Sequence, residues 1–260
     1  MTRLDVWLAG HGLAESREKA QALVMAGRVT VDGQRAAKPG SRVRDGAAVT
    51  VEPGPAHVGR GALKLAGALD AFGVSPAGRV AVDVGASTGG FTETLLERGA
   101  LRVYAVDVGR GQLHEKLRQD PRVVVRDRVN ARSLSPEIVP EPCSLAVMDV
   151  SFISVRKVLP ALRSVLAPAA EAVVLVKPQF EVGRFQVGRG GLVKDAALHH
   201  QALRDVASEA QRLGYAVRAA CPSPVPGAEG NREFFLRLEP GGEKLAPETL
   251  EAVLGKAVSA

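Results

Sequence analysis

From Arg79 to Phe180 the chain alternates between short runs rich in valine and alanine that stop at a polar residue and stretches whose apolar residues recur at helical spacing. The runs are RVAVDVG, RVYAVDV, RVVVRD, SLAVMDVSF and AVVLVKPQF, and among them lie FTETLLERG, QLHEKLRQ and VRKVLPALRSVL. Near-continuous apolar strands have both faces covered, and strands joined through helices run parallel, so the pattern predicts an α/β unit on a parallel sheet. The last third adds a helix at AALHHQALRDVASEAQRLG and strands at YAVRAACPSPV and EFFLRLEP. A closing helix opens at Pro247 and carries Leu250, Val253 and Leu254 on one face. The sum is a Rossmann-like sheet of about seven strands.

The first fifty residues follow a different plan. Leu4, Trp7 and Leu8 recur at helical spacing, Ser16 caps a second helix that runs towards Gly27, and Val29 and Val31 lead into an Asp32-Gly33 turn. Val49 and Val51 then alternate as a strand. The stretch RLDVWLAGHGLAESREKAQALVMAGRVTVDGQRAAKPGSRVRDGAAVTVE resembles the RNA-binding module of the fourth small-subunit ribosomal protein, the S4 type. That resemblance implies that Arg3, Arg17, Lys19, Arg28 and Lys38 face phosphates. Cations on a rigid helix pair and hairpin follow a folded RNA backbone by shape, without reading base edges. The expected organisation is a small α+β module over 1–52, a linker PGPAHVGR over 53–60, and the Rossmann-like domain over 61–260.

Charge and composition narrow the partners. Lysine and arginine number 34 against 28 aspartates and glutamates, a net charge of +6. Half of the excess lies within residues 1–60, which favours a polyanionic partner. With 46% hydrophobic and 24% charged residues the chain has the apolar content for a real core and is not of the disordered class. No apolar run approaches the ~18 residues of a membrane helix and no signal-like segment opens the chain, so a soluble, cytoplasmic protein is expected. Cys143 and Cys221 stand alone, which predicts reduced thiols. His114, His199 and His200 have no acidic or cysteine partner at ligand spacing, and no metal is expected.

The turn after the first Rossmann strand, DVGASTGGFTE, is rich in glycine but lacks the GxGxxG spacing that aims amides at a pyrophosphate. It suits a ligand without phosphate, and Asp107 at the tip of the next strand is placed to accept hydrogen bonds from a ribose diol. The ligand this predicts is S-adenosylmethionine. Its sulfonium and amino-acid end would lie near Asp83, Gly85, Ser87, Thr88, Gly89, Gly90 and Phe91, its ribose at Asp107, and its adenine around 127–130.

Four further polar residues stand at the edges of regular segments: Lys64 in GRGALKLAGALDAF, Asp149 after SLAVM, Lys177 after AVVLV, and Glu233 before FFLRL. Lys, Asp, Lys and Glu in that order resemble the catalytic set of RNA ribose 2′-O-methyltransferases of the RrmJ/FtsJ type. With the front module, and with MDVSFIS, LVKPQFE, GRGGLVKD and GNREFF, the resemblance is to the hemolysin A family of rRNA cytidine 2′-O-methyltransferases. One departure is Gly59, where the family pattern leads to serine. A ribose hydroxyl is a poor nucleophile and must be deprotonated or tightly oriented, a task lysine performs when its surroundings tune it.

The resemblance thus implies that Lys177 acts on the hydroxyl, as proton acceptor or as the cation beside a developing alkoxide, while Asp149 and Glu233 orient Lys177 and Lys64. The segment GRFQVGRGGLVKD reads equally as a loop over RNA phosphates and as a plain surface loop. The implied substrate is ribosomal RNA or a ribosomal subunit, bound by a monomer. Two other functions stay open at this point: a non-catalytic ribosome-binding assembly factor, and a membrane-active hemolysin.

Overall fold

The computed structural model describes residues 1–52 and 57–260, and the chain divides into two compact units, Met1–Ala56 and His57–Ala260. Of the expected linker, residues 53–56 lie outside the described residues. Residues 57–60 belong to the second unit, where the Val58 amide donates to Glu93 Oε2 at 2.8 Å.

In the first unit β1 (Thr2–Arg3) leads into α1 (Leu4–Gly10), and α2 (Arg17–Met25) starts where Ser16 Oγ accepts the Lys19 amide at 3.2 Å. β2 (Val29–Val31) turns back into β3 (Gln34–Arg35) through Asp32 and Gly33, both at positive φ (49° and 78°), the conformation a two-residue hairpin turn requires. β4 (Arg42–Val43) pairs with β1, and β5 (Val49–Val51) pairs with β2. Leu4, Leu8, Ala20, Val24, Val29 and Val43 form the core; of the residues that recur at helical or strand spacing, Leu4, Leu8 and Val29 are in it, while Trp7, Val31, Val49 and Val51 pack against it partly buried. Asp5 is fully buried beside that core and accepts hydrogen bonds from Arg3, Arg17 and Gln21. These donors, Arg3 first, hold its carboxyl far below the usual range.

The second unit opens with α3 (Gly61–Phe72), stopped by Gly73 in the left-handed conformation. Then follow β6 (Val80–Val84), α4 (Gly90–Glu97), β7 (Arg102–Val106), α5 (Glu115–Arg118), β8 (Val123–Arg126) and β9 (Cys143–Met148). After them come α6 (Leu159–Arg163), β10 (Leu166–Val176), α7 (Pro178–Glu181), α8 (Ala196–Arg212), β11 (Tyr215–Pro222), β12 (Phe234–Pro240) and α9 (Pro247–Ser259). Helix is shorter than the pattern predicts in two places. Around 112–119 only Glu115–Arg118 is helical. In VRKVLPALRSVL a 3₁₀ turn at Val155–Lys157 precedes α6, whose first turn holds Pro160 and so lacks one amide donor.

The seven strands form one sheet in the order β11-β12-β10-β9-β6-β7-β8. The sheet is not wholly parallel as expected, because β12 runs antiparallel to both β10 and β11. The cause lies in the connections. Parallel neighbours need a crossover over one face, and α8 supplies one between β10 and β11, whereas the segment between β11 and β12 contains no helix and can only return alongside. Side chains alternate between two buried layers. Val82, Val84, Met148 and Val174 pack towards α8 and α9 residues such as Leu203 and Leu254. Ala81, Val147, Val173 and Leu175 pack towards Leu65 and Leu69 of α3 and Leu95 of α4. The reversal of β12 matters for the site: its first residue, not its last, lies at the edge where β10 ends, with Phe234 opposite Val176.

Candidate active site

β6 ends in a loop whose backbone requires glycine. Gly85 has φ 88°, and a Cβ there would collide with the Asp149 carbonyl oxygen. A Cβ on Gly90 would lie 2.8 Å from the Ala62 amide nitrogen, so this glycine lets α4 and α3 approach closely. Gly89 (φ 100°) serves packing: its missing Cβ leaves room for Leu113 and Leu117.

Beside the loop a cavity of about 530 Å³ is walled by Gly85, Ser87, Asp107, Asn130, Arg132 and Asp149, with Val108, Val129 and Ile153 as apolar wall. Asp107 directly follows β7; its Oδ2 accepts the Ser87 amide at 2.8 Å and its Oδ1 the Gly109 amide at 2.7 Å, which fixes the carboxylate on the cavity wall. A smaller space of about 120 Å³ is lined by Ser87, Thr88, Gly90, Phe91 and Asp149. Of the region expected around adenine, Val129 and Asn130 line the large cavity, whereas Asp127 turns to Arg118 at 2.5 Å and the Gly111 amide. A Cβ at Gly59 would sit 2.7 Å from Thr88 Oγ1, so the residue that departs from the family pattern touches this loop.

Asp83 is in β6 itself, fully buried rather than at the strand tip. Thr92 of α4 donates to its Oδ2 at 2.6 Å, while Oδ1 has no partner among the described residues. Burial raises its carboxyl to about 7, against the opposing pull of the Thr92 hydrogen bond.

The four sequence-predicted catalytic side chains meet as two ion pairs. Lys177, at the end of β10, places Nζ 2.5 Å from Asp149 Oδ1 at the end of β9. Lys64 reaches from α3, not from a strand end, and its Nζ is 2.5 Å from Glu233 Oε2, immediately before β12. Lys64, Lys177 and Glu233 are buried and line one cavity of about 370 Å³, which shares Ser151 and Phe152 with the cavity at the loop. Asp149 thus joins the two spaces, one carboxylate oxygen on Lys177 and its backbone against Gly85. Sequence reasoning missed Ser151, whose Oγ accepts from Lys177 Nζ at 2.8 Å. A lone serine after a strand carries no spacing signal. Two amines, each beside a carboxylate and lining a cleft next to the glycine loop, are groups that can orient a hydroxyl and, in the neutral form, take its proton.

The profile of FtsJ-like methyltransferases matches residues 57–239, the part of the chain that holds the loop and all four side chains. The chain belongs to the FtsJ-like methyltransferase family. In front of its FtsJ-like part, residues 2–49 match the S4 domain. Over 99% of its length this FtsJ-like chain is 49% identical to a protein of Mycobacterium tuberculosis, 97% of which is covered, named 16S/23S rRNA (cytidine-2′-O)-methyltransferase TlyA. It is 39% identical to hemolysin A of Brachyspira hyodysenteriae over 90% of this chain and 98% of that one. A solved structure from Streptococcus thermophilus, named as a candidate hemolysin, superposes with a TM-score of 0.74 at 41% identity, covering 99% of this chain and 95% of the other. Among the described residues no helix is long and apolar enough to cross a membrane.

Within the S4 domain the five expected phosphate-facing cations divide. Arg3 and Arg17 lean onto Asp5 at 2.8 and 3.1 Å, with about half of each side chain exposed (49% and 52%), and Arg28 donates to the Glu52 carbonyl at 2.7 Å. Lys19 and Lys38 are exposed. His199 is a core histidine, buried with Nε2 2.8 Å from the Val193 carbonyl, and among the described residues one group has its candidate ligand atoms within 4.8 Å of one another: His57, Glu93 and Glu97. Glu93 there accepts Lys116 Nζ on Oε1 at 2.6 Å and the Val58 amide on Oε2 at 2.8 Å.

Proposed function

We propose that this chain is an S-adenosylmethionine-dependent methyltransferase that modifies a ribose 2′-hydroxyl of ribosomal RNA, with cytidine as the nucleoside. The observation that carries the reading is the convergence of Lys64–Glu233 and Lys177–Asp149 on one cleft beside the glycine loop. The fit to the cofactor rests on this chain's own groups: the cavity of about 530 Å³ beside the glycine loop, the Asp107 carboxylate on its wall as acceptor for a diol, and the Val108, Val129 and Ile153 wall for a flat ring. When bound, the cofactor supplies an electrophilic methyl group on a sulfonium.

Everything else falls to the protein. Asp149 and Ser151 fix Lys177 Nζ from two sides, so the amine points at one place and pays little reorganisation when the hydroxyl arrives. Lys177 acts on the hydroxyl either as the neutral amine that takes its proton while the oxygen takes the methyl carbon, becoming the ammonium beside Asp149, or as the cation beside the developing alkoxide with the proton passing to water. Lys64, held by Glu233 on the opposite wall, positions the ribose or its phosphate. Arg3, Arg17, Lys19, Arg28 and Lys38 belong to this reading as the cations of the S4 domain that meet rRNA phosphates.

The division into an RNA-binding domain over 1–52 and a methyltransferase domain that residues 57–60 already join, with the linker between them, belongs to it too, as do action in the cytoplasm on ribosomal RNA or subunits, and a monomeric state. The test is a map of 2′-O-methylated nucleotides on rRNA from cells with and without the gene. At least one cytidine is expected to lose its modification on deletion and regain it on complementation; identical maps would contradict the proposal.

A further inference from the structure

Glu181 is a buried carboxylate that the chemistry above does not use. It ends α7, the short helix for which Lys177 is the N-cap, and its side chain is 1% exposed. All of its partners come from one stretch of chain. Ser154 Oγ donates to it at 2.6 Å, the Val155 amide at 2.7 Å and Arg156 Nε at 3.3 Å, while Arg156 Nη2 donates to the Glu181 carbonyl at 3.0 Å. That stretch is the downstream end of the loop leaving β9. The upstream end carries Asp149 and Ser151, both on Lys177 Nζ. The loop is therefore tied at both ends to α7, at its start through Lys177 and at its finish through Glu181. Between the ties Phe152 has φ 62° and is 92% exposed. A non-glycine residue keeps that backbone conformation only when its neighbours fix it.

Resting on the methyltransferase reading, we propose that Glu181 is a positioning residue. It anchors the loop after β9 so that Asp149 and Ser151 stay converged on Lys177 Nζ. Burial raises the Glu181 carboxyl above its ordinary range, and the hydrogen bonds from Ser154, Val155 and Arg156 oppose that rise. Glutamine in its place keeps the shape but replaces one carboxylate oxygen by an amide donor, so either the Val155 amide or the Arg156 guanidinium loses its acceptor, and the negative charge facing Arg156 is gone.

The test uses the purified full chain with labelled S-adenosylmethionine and ribosomal subunits from cells lacking the gene. Wild type, Glu181→Gln, Ser151→Ala and the double variant are compared for kcat, for KM of the cofactor and for cofactor Kd by calorimetry. Since a misplacement of about 1 Å in a reacting constellation costs about a hundredfold, Glu181→Gln is expected to lower kcat by about tenfold to a hundredfold with cofactor KM and Kd within about twofold. In the Ser151→Ala background the same change is expected to cost about threefold or less, because both act through Lys177. Equal losses in the two backgrounds, or a lowered melting temperature with kcat per folded molecule unchanged, would overturn the proposal. If Glu181→Gln does not fold, Glu181→Asp, which keeps the charge and withdraws it from the loop, is read by the same criteria. An inactive wild type would be a failure of the methyltransferase reading itself, and the positioning role would fall with it.

Discussion

Asp83 is the side chain whose ionisation the fold alters most clearly in the site. Its carboxyl sits at about 7 in the fold, against an ordinary value of 3.8. Between those values the native state keeps a proton that the unfolded chain releases, so this group stabilises the fold below pH 4 and loses that contribution as the pH rises to 7. Asp83→Asn keeps the shape and the hydrogen bond from Thr92 without the titration. The melting temperature of the wild type, taken relative to that variant in cofactor-free protein, is expected to fall from pH 4 to pH 7; parallel curves would contradict the assignment. Lys64, Asp149, Lys177 and Glu233 were legible at this scale because each is a charged residue interrupting or ending an apolar pattern. Ser151 and Glu181 were not, since a serine after a strand and a glutamate in a four-residue helix look like surface until the backbone folds them onto Lys177 and the loop.

At the scale of elements, the loop between β6 and α4 bears the strictest demand. Gly85→Ala puts a side chain at φ 88° and into the Asp149 carbonyl, so backbone strain of about 1–2 kcal/mol is joined by displacement of the β9 loop. Calorimetry should find cofactor binding weakened at least about tenfold, the equivalent of about 1.4 kcal/mol, and unchanged binding would show that the loop has slack. The five strands from β6 to β10 and the S4-type helix pair could be read directly, because apolar periodicity is set by burial and these elements are buried on regular faces. The direction of β12 could not. It depends on the absence of a crossover, yet this reversal brings Glu233 to the edge where Lys64 meets it. The short α5 and the break at Pro160 show where helical spacing outruns helix formation.

Across the whole molecule, one short basic unit and one α/β unit carry separate parts of the task, RNA attachment and methyl transfer. The pairing was legible because the basic stretch with its hairpin turn and the glycine loop fall in different parts of the chain. The expected roles of Arg3 and Arg17 needed refinement, since both also hold the buried Asp5. The central claim is that the Lys177–Asp149 pair directs a methyl group onto a sugar oxygen. The most direct measurement is transfer of labelled methyl from S-adenosylmethionine to ribosomal subunits, followed by alkaline hydrolysis, by wild type and by Lys177→Ala. The account predicts label in alkali-resistant dinucleotides with the wild type and a loss of about a hundredfold or more in rate with the variant, at preserved cofactor binding. Label on the base rather than the ribose, or equal rates for both proteins, would contradict it.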